Sequence, residues 1–399
     1  MNVKAEISMP DMVWPADVTD IPKEVFVRPD IFERELETIF YGPYWHPVAH
    51  AAEIPNPGDF KTFDLGRVPL LIARGNDGKI RVFINACTHR GNQVETAPCG
   101  NRKNFECPYH RWMFATDGQL KACPGSEDFS PKFSKETYGL KQLKMEEIFG
   151  LVLVTLSDKA PDINAFLGRT VTTLEKQIGH KAGLKLLGYQ KVRYASNWKA
   201  YMDNDGYHAP LLHTGFRLLG WQSGGGEIFI TPEGHGGAES QLKPGKSTSV
   251  LNDPSLIDFK DATWNSGSFV CGLFPVTISV KHLDVINIRF VIARSVECTE
   301  VHYAYFAKAD DDEETIRHRV RQSSNLIGPC GMISMEDAAI FHRIQVGSHS
   351  PGVATFQKGV KDLHSIDYYK SMQNDETPNI PRWDYYRRVM GFRREGEAQ

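Results

Sequence analysis

The chain has 399 residues, a net charge of −3 and 41% hydrophobic residues. This length exceeds one ordinary hydrophobic core and predicts two domains, or a small domain inserted into a larger one. The near-neutral charge excludes the basic footprint of a nucleic-acid-binding protein, and no stretch approaches the roughly 20 apolar residues of a membrane span.

The N-terminal part of the chain contains prolines and acids but no apolar signal core, so we expect a cytoplasmic protein. Residues 33–40 are predicted to be helical. Short strands follow from Trp45 onward, and Pro69–Ala73, a turn at Asn76-Asp77-Gly78 and Ile80–Ile84 predict a hairpin. We therefore expect a small all-β domain at residues 44–157.

The remainder mixes helices with longer strands, so residues 1–43 and 158–399 are expected to form one larger domain. Helices are predicted at 161–177 and 313–325, and antiparallel strands at 283–293 and 301–307. The Gly-rich stretch Ser223–Ser249 has weak periodicity and predicts a long mobile loop, either a cover for a substrate entrance or a solvent loop without a role. The fold class is α+β.

Two cysteines and two histidines arrive as two short loops: Cys87 with His89, and Cys107 with His110. Thiolate and imidazole ligands suit zinc or an iron–sulfur cluster. Zinc sites usually pair like with like, whereas each loop here supplies one Cys and one His. That arrangement lets the two Cys hold one iron and the two His the other, as in a Rieske centre. The alternatives are a zinc site, or core cysteines with surface histidines.

The sequences of these loops, CTHRG from Cys87 and CPYHRW from Cys107, resemble the Rieske motif of ring-hydroxylating oxygenases. Asn92 and Tyr109 stand where respiratory Rieske proteins have extra cysteines, which is similar to the oxygenase type. The family usually has Gly where this chain has Arg111. A positive φ at that position would make Arg unfavourable.

A second constellation follows the pattern D-x₂-H-x₄-H, with Asp205, His208 and His213. On a regular helix the two histidines would not share a face, but Pro210 bends or ends the helix between them. Two His and one carboxylate form the site of non-haem Fe(II) oxygenases. The resemblance implies that both His bind iron, and that Asp205 hydrogen-bonds to the cluster histidine of a neighbouring subunit. The alternative is a pair of core histidines.

The resemblance places the third iron ligand downstream, at Asp337, with Glu336 as the acid before it. Neighbouring helical residues point about 100° apart, so only one should face the iron. We expect this to be Asp337. Arg382–Met390 is similar to the closing helix of the family, so the resemblance covers nearly the whole chain.

A substrate pocket is expected among apolar residues that flank the ligands, each of which could equally be core packing. Apolar lining suits an aromatic ring, and an arginine such as Arg289 remains an alternative that would pair a substrate carboxylate. The candidate residues are Met202, Leu212, Phe216, Met332 and Ile333.

The resemblance implies a helix-grip-like catalytic domain that carries a Rieske [2Fe–2S] cluster domain as an insertion, and a mononuclear Fe(II). It implies a terminal oxygenase that uses O₂ and electrons from NAD(P)H, delivered by a ferredoxin and/or a reductase, for cis-dihydroxylation of an aromatic compound. A homotrimer, alone or with a small beta subunit, is also implied. Alternatives are a monooxygenase or demethylase on this scaffold, a Rieske electron carrier, and a zinc-stabilised binding module.

Overall fold

The chain folds into two units: a larger one from Met1–Phe40 together with Pro161–Gln399, and an inserted one from Tyr41–Ala160. The computed structural model describes residues 11–206, 214–219, 226–241, 249, 251–261 and 267–397, without the side chains of Asp205 and Phe216. Helices and antiparallel sheets make up the larger unit, and short strands make up the inserted unit, so the predicted α+β class is confirmed.

The N-terminal segment contributes β1 (Asp20–Pro22), helix α1 (Pro29–Glu35) and a π-helical turn (Leu36–Phe40) to the larger unit. Three sheets, β5-β4-β3-β6, β7-β8-β9 and β10-β11-β2, then form the inserted unit. Its strands are β2 (His46–His50), β3 (Asp59–Leu65), β4 (Val68–Arg74), β5 (Ile80–Ile84), β6 (Cys99–Asn101), β7 (Asn104–Glu106), β8 (Met113–Ala115), β9 (Leu120–Ala122), β10 (Lys144–Ile148) and β11 (Leu151–Thr155).

The predicted hairpin in the inserted unit is confirmed. Strands β4 and β5 pair antiparallel, with Leu70 opposite Ile84. Gly78 has a φ of 76°, which only glycine adopts without strain, and this fixes the turn.

The larger unit resumes with helices α2 (Ile163–Leu167) and α3 (Thr170–Ile178) and strand β12 (Leu184–Tyr194). The elements that follow are α4 (Trp198–Gly206), α5 (Thr214–Leu218), β13 (Glu227–Ile230), β14 (Gly236–Gln241), β15 (Gly267–Leu273), β16 (Thr277–His282), β17 (Val285–Ser295), β18 (Cys298–Lys308), α6 (Glu313–Gln322), a second π-helical turn (Ser323–Ile327), α7 (Met335–Ser348), β19 (Val353–Thr355), β20 (Lys370–Met372) and α8 (Asn379–Met390).

An eight-stranded antiparallel sheet, in the order β12-β18-β17-β16-β15-β14-β13-β20, is the centre of the larger unit. Side chains alternate between the two faces of each strand. On one face, helix α3 packs through Gln177, whose amide donates to the carbonyls of Phe269 and Ser279, both at 2.9 Å. Helices α4 and α7 lie on the opposite face, where the candidate site is found.

The structure corrects the expectation for Ser223–Ser249. Within its described residues, this stretch forms β13 and β14, which are inner strands of the large sheet. Glycine is needed at Gly237 because a Cβ there would lie 2.4 Å from the Phe229 ring. The small residues that suggested a loop therefore allow close packing, and residues 223–225, 242–248 and 250 lie outside the described residues.

The N-terminal segment is held by a buried ion pair. Glu35 of α1 accepts from Lys199 Nζ at 2.5 Å and from the indole N–H of Trp198 at 2.8 Å, and it also bonds the Tyr386 hydroxyl. The side chains of Glu35 and Lys199 are fully buried. A charge in this position is tolerated only because each of its hydrogen-bonding groups has a partner. No helix in the described part of the chain is long and apolar enough to cross a membrane.

Candidate metal centres and substrate site

The two cluster-ligand loops, 87–92 and 107–112, have the same backbone hydrogen-bonding pattern. In the first, the Cys87 N–H donates to the carbonyl five residues on at 2.8 Å, and the Cys87 carbonyl accepts from the N–H four residues on at 2.8 Å. In the second, Cys107 makes the equivalent bonds at 2.8 and 3.0 Å. The two loops therefore share one backbone frame, within which the His lies two residues after Cys87 in the first loop and three residues after Cys107 in the second.

The fifth position of each loop has a left-handed backbone. Gly91 has a φ of 76° and Arg111 a φ of 59°. Arg111 therefore has the positive φ that would make an arginine unfavourable at this position. The left-handed conformation costs a residue with a Cβ about 1–2 kcal/mol of conformational energy. The Arg111 side chain extends outward and pairs with Glu106 at 2.8 Å.

The four predicted cluster ligands lie together. Cys87 and Cys107 are buried and their thiols are in hydrogen-bonding contact. The ring centroids of His89 and His110 are 4.7 Å apart. Burial, reinforced by the Cys107 thiol, raises the pKa of Cys87 above its usual value, and burial lowers the pKa of His89.

This donor set fits a binuclear cluster. Two thiols beside each other and two imidazoles beside each other match a [2Fe–2S] centre in which Cys holds one iron and His the other. Among the described residues, no three His, Cys, Asp or Glu side chains converge as a single-ion site. A binuclear cluster needs two ligands from the protein for each iron. The two Cys and the two His supply these four ligands.

Aromatic rings cover the His89 side of the cluster loops. The His89 ring stacks on Trp112, with centroids 4.7 Å apart and an interplanar angle of 8°. Trp112 is buried and packs against Phe129 and Phe133. Stacking on Trp112 therefore helps to orient the His89 ring.

Helix α7 anchors the start of the second candidate site. The Gln345 side chain accepts from the Asn197 backbone N–H at 2.8 Å, immediately before α4 begins, and donates to the Phe26 carbonyl at 3.1 Å. Helix α4 leads directly into the D-x₂-H-x₄-H segment. The position of α4 is thus set from α7.

Helix α7 also anchors the end of that segment. The Glu336 carboxylate accepts from the backbone N–H of Thr214 at 2.8 Å and from its hydroxyl at 3.0 Å. Thr214 begins α5 and follows His213 directly. Glu336 is therefore engaged in positioning this helix, a role that the sequence did not suggest.

Asp337 lies on a different face of α7 from Glu336. It is one turn before Phe341, whose ring packs against Tyr194 and Tyr201 with centroid distances of 5.2 and 5.3 Å. The charge of Asp337 contributes to the raised pKa of Tyr194. Asp337 is therefore directed toward the sheet face that carries these tyrosines.

Several predicted site residues fall where the structure is not described. His208, His213 and Leu212 lie outside the described residues, as do the side chains of Asp205 in α4 and Phe216 in α5.

The remaining predicted pocket residues lie in two places. Met202 is buried and borders a small cavity with Ile278 and Arg382. Ile333 is buried and Met332 half-buried, and both lie against Gly215 of α5. The described residues do not bring Met202 into one cavity with Met332 and Ile333.

Four tyrosines that the sequence analysis missed lie where α4 and α7 meet the sheet. The hydroxyl of Tyr303 lies 3.0 Å from that of Tyr194 and 3.3 Å from that of Tyr201, and the Tyr305 hydroxyl donates to Gln190 at 2.7 Å. Burial raises the pKa of each phenol, so all four are neutral near pH 7. Tyr303 and Tyr305 are two residues apart in the predicted strand 301–307, so they were expected on one face of it. This spacing was the only feature of the sequence that could have indicated the cluster. We call Tyr194, Tyr201, Tyr303 and Tyr305 the tyrosine cluster.

Asp203 holds α4 from the side of α8. Its carboxylate accepts from the Trp383 indole N–H at 2.7 Å. Burial raises the pKa of Asp203 to about 6, with the Trp383 hydrogen bond opposing the shift. The Arg382 guanidinium donates to the Met202 carbonyl at 2.9 Å, which adds a second link between the helices.

Comparison with known protein families gives two matches. The Rieske [2Fe-2S] domain matches residues 44–142, and the ring hydroxylating alpha subunit (catalytic domain) matches residues 182–365. The two matches follow one another along the chain, as the two constellations do.

Relatives similar over nearly the whole chain carry related names. The large oxygenase component of salicylate 5-hydroxylase from Ralstonia sp is 30% identical and covers 96% of this chain and 97% of its own. The anthranilate 1,2-dioxygenase large subunit from Burkholderia cepacia is 31% identical, covering 85% and 86%. A terephthalate 1,2-dioxygenase alpha subunit from Comamonas sp is 29% identical, covering 94% and 96%.

Solved structures share the fold. Naphthalene 1,2-dioxygenase from Rhodococcus sp, bound to indole, aligns with a TM-score of 0.80 and 21% identity over 93% of this chain and 94% of its own. A quaternary ammonium Rieske monooxygenase aligns with a TM-score of 0.74 and 22% identity, covering 93% and 95%.

An inserted cluster-binding β unit and a helix-covered antiparallel sheet define a Rieske-type oxygenase. The chain belongs to the ring-hydroxylating oxygenase family, as an alpha (terminal oxygenase) subunit. Its cofactors are accordingly a [2Fe–2S] Rieske cluster and a mononuclear iron. As the oxygenase component of a multicomponent system, it receives electrons from a redox partner.

Proposed function

We propose that this chain hydroxylates an aromatic ring by cis-dihydroxylation, in which one O₂, two electrons and two protons convert a ring double bond into a diol. The observation that carries this proposal is the pair of hydrogen bonds from Thr214 to Glu336. They tie the end of the D-x₂-H-x₄-H segment to the helix that carries Asp337, which supports a two-His, one-carboxylate iron site.

We propose the following residue roles. The ligands of the cluster are Cys87, His89, Cys107 and His110, and those of the mononuclear iron are His208, His213 and Asp337. When bound, the cluster supplies single electrons and the mononuclear iron activates O₂. Glu336 and Gln345 position the helices around the iron ligands by hydrogen bonds to Thr214 and Asn197. The neutral phenols of the tyrosine cluster line the site without adding charge.

The proposed substrate ring lies among Met202, Leu212, Phe216, Met332 and Ile333. The buried positions of Met202 and Ile333 near the ends of the ligand segment support this. We retain residues 1–43, 44–157 and 158–399 as the proposed domain bounds.

We propose a ferredoxin and/or an NAD(P)H-dependent reductase as electron donor, and a homotrimer, alone or with a small beta subunit, as the assembly. In that assembly Asp205 accepts hydrogen bonds from an iron-ligand histidine and from the cluster histidine of the neighbouring subunit. A carboxylate between two such imidazoles fixes both rings. Cytoplasmic location is proposed with these partners, because NAD(P)H is regenerated there.

The trimer pathway is tested by Asp205→Asn. This change keeps the size of the side chain but removes its charge, so we expect both metal sites to be loaded, the cluster to be reducible, and turnover to fall steeply. Asp203→Asn, two residues earlier on α4, is the control for a merely structural effect. Near-normal turnover of Asp205→Asn, or a fully active monomer, contradicts the pathway.

A monooxygenase reaction is the second candidate, since the Ralstonia relative is named a hydroxylase and a structural neighbour is named a monooxygenase. Holoenzyme with assayed iron and sulfide is supplied with NADH, a surrogate reductase and ferredoxin, and ¹⁸O₂. Benzoate, salicylate and naphthalene are offered as rings. Two labelled atoms in the product support dihydroxylation, one supports the monooxygenase, and the absence of any hydroxylated ring contradicts both.

A further inference from the structure

Strand β17 presents two polar residues to the face of the sheet that carries the tyrosine cluster. Arg289 is paired in register with Tyr303 of β18, and Asn287 with Tyr305. The residues that alternate with them, Ile286, Ile288 and Phe290, point to the opposite face and are fully buried. A guanidinium and a carboxamide therefore lie on the sheet face that also carries the phenols of Tyr303 and Tyr305.

Arg289 lacks a counter-charge in the described part of the chain. Its Nε donates to Asn287 Oδ1 at 3.3 Å, its guanidinium is in hydrogen-bonding contact with the Tyr201 hydroxyl, and it lies 5.1 Å from the centre of the Tyr303 ring. The phenols beside it are neutral, because burial raises the pKa of each one. The groups that act electrostatically on Arg289 are tyrosines: Tyr201, Tyr303 and Tyr305.

Arg319, a buried arginine with a structural role, differs from Arg289 in having carboxylate partners. Arg319 is buried and is bound by two carboxylates, Asp261 at 2.8 Å and Asp311 at 2.7 Å. Arg289 has only neutral partners among the described residues, and a buried cation without a counter-charge is unfavourable. The missing counter-charge is most simply an anion that arrives with a ligand.

Asn287 supplies a second, independent sign of a missing acceptor. Its side chain is fully buried, and its Nδ2 has no hydrogen-bond partner among the described residues. Buried amide donors are nearly always paired in folded proteins. Arg289 and Asn287 are two residues apart on one strand face, so the unpartnered Nδ2 of Asn287 and an N–H of the Arg289 guanidinium can serve one planar acceptor with two oxygens.

The position of this pair relates it to the proposed reaction site. Tyr303 lies over Arg289 and shares a hydrogen bond with Tyr194, whose ring packs on Phe341 of α7. Phe341 is one turn beyond Asp337, the proposed iron ligand. Tyr303, Tyr194 and Phe341 therefore form a continuous set of aromatic contacts from Arg289 to the helix that carries the proposed ligand.

We infer that Arg289 and Asn287 form the anchor for a carboxylate on the aromatic substrate, so that the substrate class is an aromatic acid. The inference rests on the proposed ring hydroxylation and specifies it. The anchor holds the acid group at β17 and thereby fixes which ring edge is directed toward α7. Sulfonate, which presents similar oxygens, belongs to the same chemistry, and naphthalene has no group for this anchor.

Benzoate and benzamide are the matched probes, since they have the same shape and differ in charge. Their binding to the iron-loaded holoenzyme is measured by titration calorimetry. We expect benzoate to bind about tenfold to 100-fold more tightly, as hydrogen bonds to a charged group contribute about 1.5–3 kcal/mol. Arg289→Met should remove this preference, and Asn287→Leu should reduce it. Arg289→Lys, which keeps the charge without the planar fork, should retain part of it.

Arg294→Met is the matched control, because Arg294 lies on the opposite face of β17 and pairs with Glu300 at 3.1 Å. It should leave the preference unchanged. Equal affinity of the wild type for benzoate and benzamide overturns the inference without any variant, as does a preference that survives in folded Arg289→Met. If naphthalene is hydroxylated while benzoate is neither bound nor hydroxylated, the ring hydroxylation stands and the anchor is wrong. If no ring is hydroxylated although benzoate binds through Arg289, the anchor stands and the reaction is wrong.

Discussion

Glu336 and Asp337 are adjacent in α7 and have different tasks. The Glu336 carboxylate binds the backbone and hydroxyl of Thr214, whereas Asp337 lies on the helix face that contacts the tyrosine cluster. The assignment of Asp337 as the iron ligand remains a prediction, but Glu336 now has a separate role as a positioning residue.

We expect Asp337→Ala to abolish binding of the mononuclear iron while the cluster spectrum survives. Glu336→Ala should weaken the binding of that iron about tenfold to 100-fold without abolishing it, because loss of a group that orients the ligands lowers metal affinity by this amount. Glu336→Gln, which still accepts from the Thr214 N–H, should lie between Glu336→Ala and the wild type. Iron titration followed by chelator competition measures all three. Complete loss of the iron in Glu336→Ala and full retention in Asp337→Ala would reverse the assignment.

The cluster assignment predicts two acid-labile sulfides and two cluster irons per chain. His110→Cys should give a cluster with an altered visible spectrum and a lower reduction potential, because a thiolate adds negative charge to the iron that imidazole held. Redox titration followed by absorbance measures the potential. Tyr109→Phe, at the exposed neighbouring position, should leave the spectrum as in the wild type. Stoichiometric zinc without sulfide in the wild-type protein contradicts the assignment.

Arg111 has a left-handed backbone that the equivalent position in the first loop fills with Gly91. We expect Arg111→Gly to raise the free energy of unfolding of the cluster unit by roughly 1 kcal/mol, since the strain of a side chain at positive φ is removed. Gly91→Ala should lower it by a similar amount, because no atom lies within 4 Å of the added Cβ and only the φ is unfavourable. Denaturant melts followed by cluster absorbance measure both. A loss of stability in Arg111→Gly would show that its pair with Glu106 matters more than the strain.

His235 predicts a specific acid sensitivity. Its Nε2–H donates to the Phe166 carbonyl at 2.7 Å and its Nδ1 accepts from the Phe274 N–H at 2.8 Å, so the ring is neutral. Burial lowers its pKa to about 4 from an ordinary value of 6.5. The unfolded chain therefore binds the proton first, and this contribution to stability is full above pH 6.5 and is lost as pH falls toward 4.

The loss amounts to about 3 kcal/mol by pH 4. His235→Gln removes the titrating group, so its free energy of unfolding should decline less steeply between pH 6.5 and 4.5 than that of the wild type, whatever its value at pH 7.5. Urea melts at three pH values measure the two slopes. Parallel slopes would mean that His235 is not the group responsible.

The sequence predicted those parts that depend on local patterns. The hairpin of β4 and β5 has a turn signal and two apolar runs, and the cluster loops have ligands at short, fixed spacing. The loop expected at 223–249 was wrong in its described residues because Gly237 is required by the approach of Phe229, which comes from the neighbouring strand. Composition alone does not distinguish a glycine of a turn from a glycine beneath an aromatic ring.

Most polar residues around the candidate site could not be predicted from the sequence. Glu336 bonds Thr214 across more than a hundred residues, and the tyrosine cluster unites β12, α4 and β18. Each of these side chains has an ordinary local sequence context. Only the pairing of strands and the packing of α7 on them bring the groups together, and a single sequence without that packing gives no reason to select them.

The buried pair of Glu35 and Lys199 determines the order in which parts of the chain can fold during synthesis. Glu35 leaves the ribosome before the entire inserted unit, and its remaining partner, Tyr386, is made near the end of the chain. At about 5–20 residues per second, Glu35 waits some tens of seconds for that partner. Until Lys199 is made, docking of helix α1 would remove water from this carboxylate without supplying a cation, and until Tyr386 is made the carboxylate lacks one hydrogen bond. The inserted unit, whose residues are contiguous, is therefore free to fold first, and the N-terminal segment joins the catalytic sheet only when translation is almost complete.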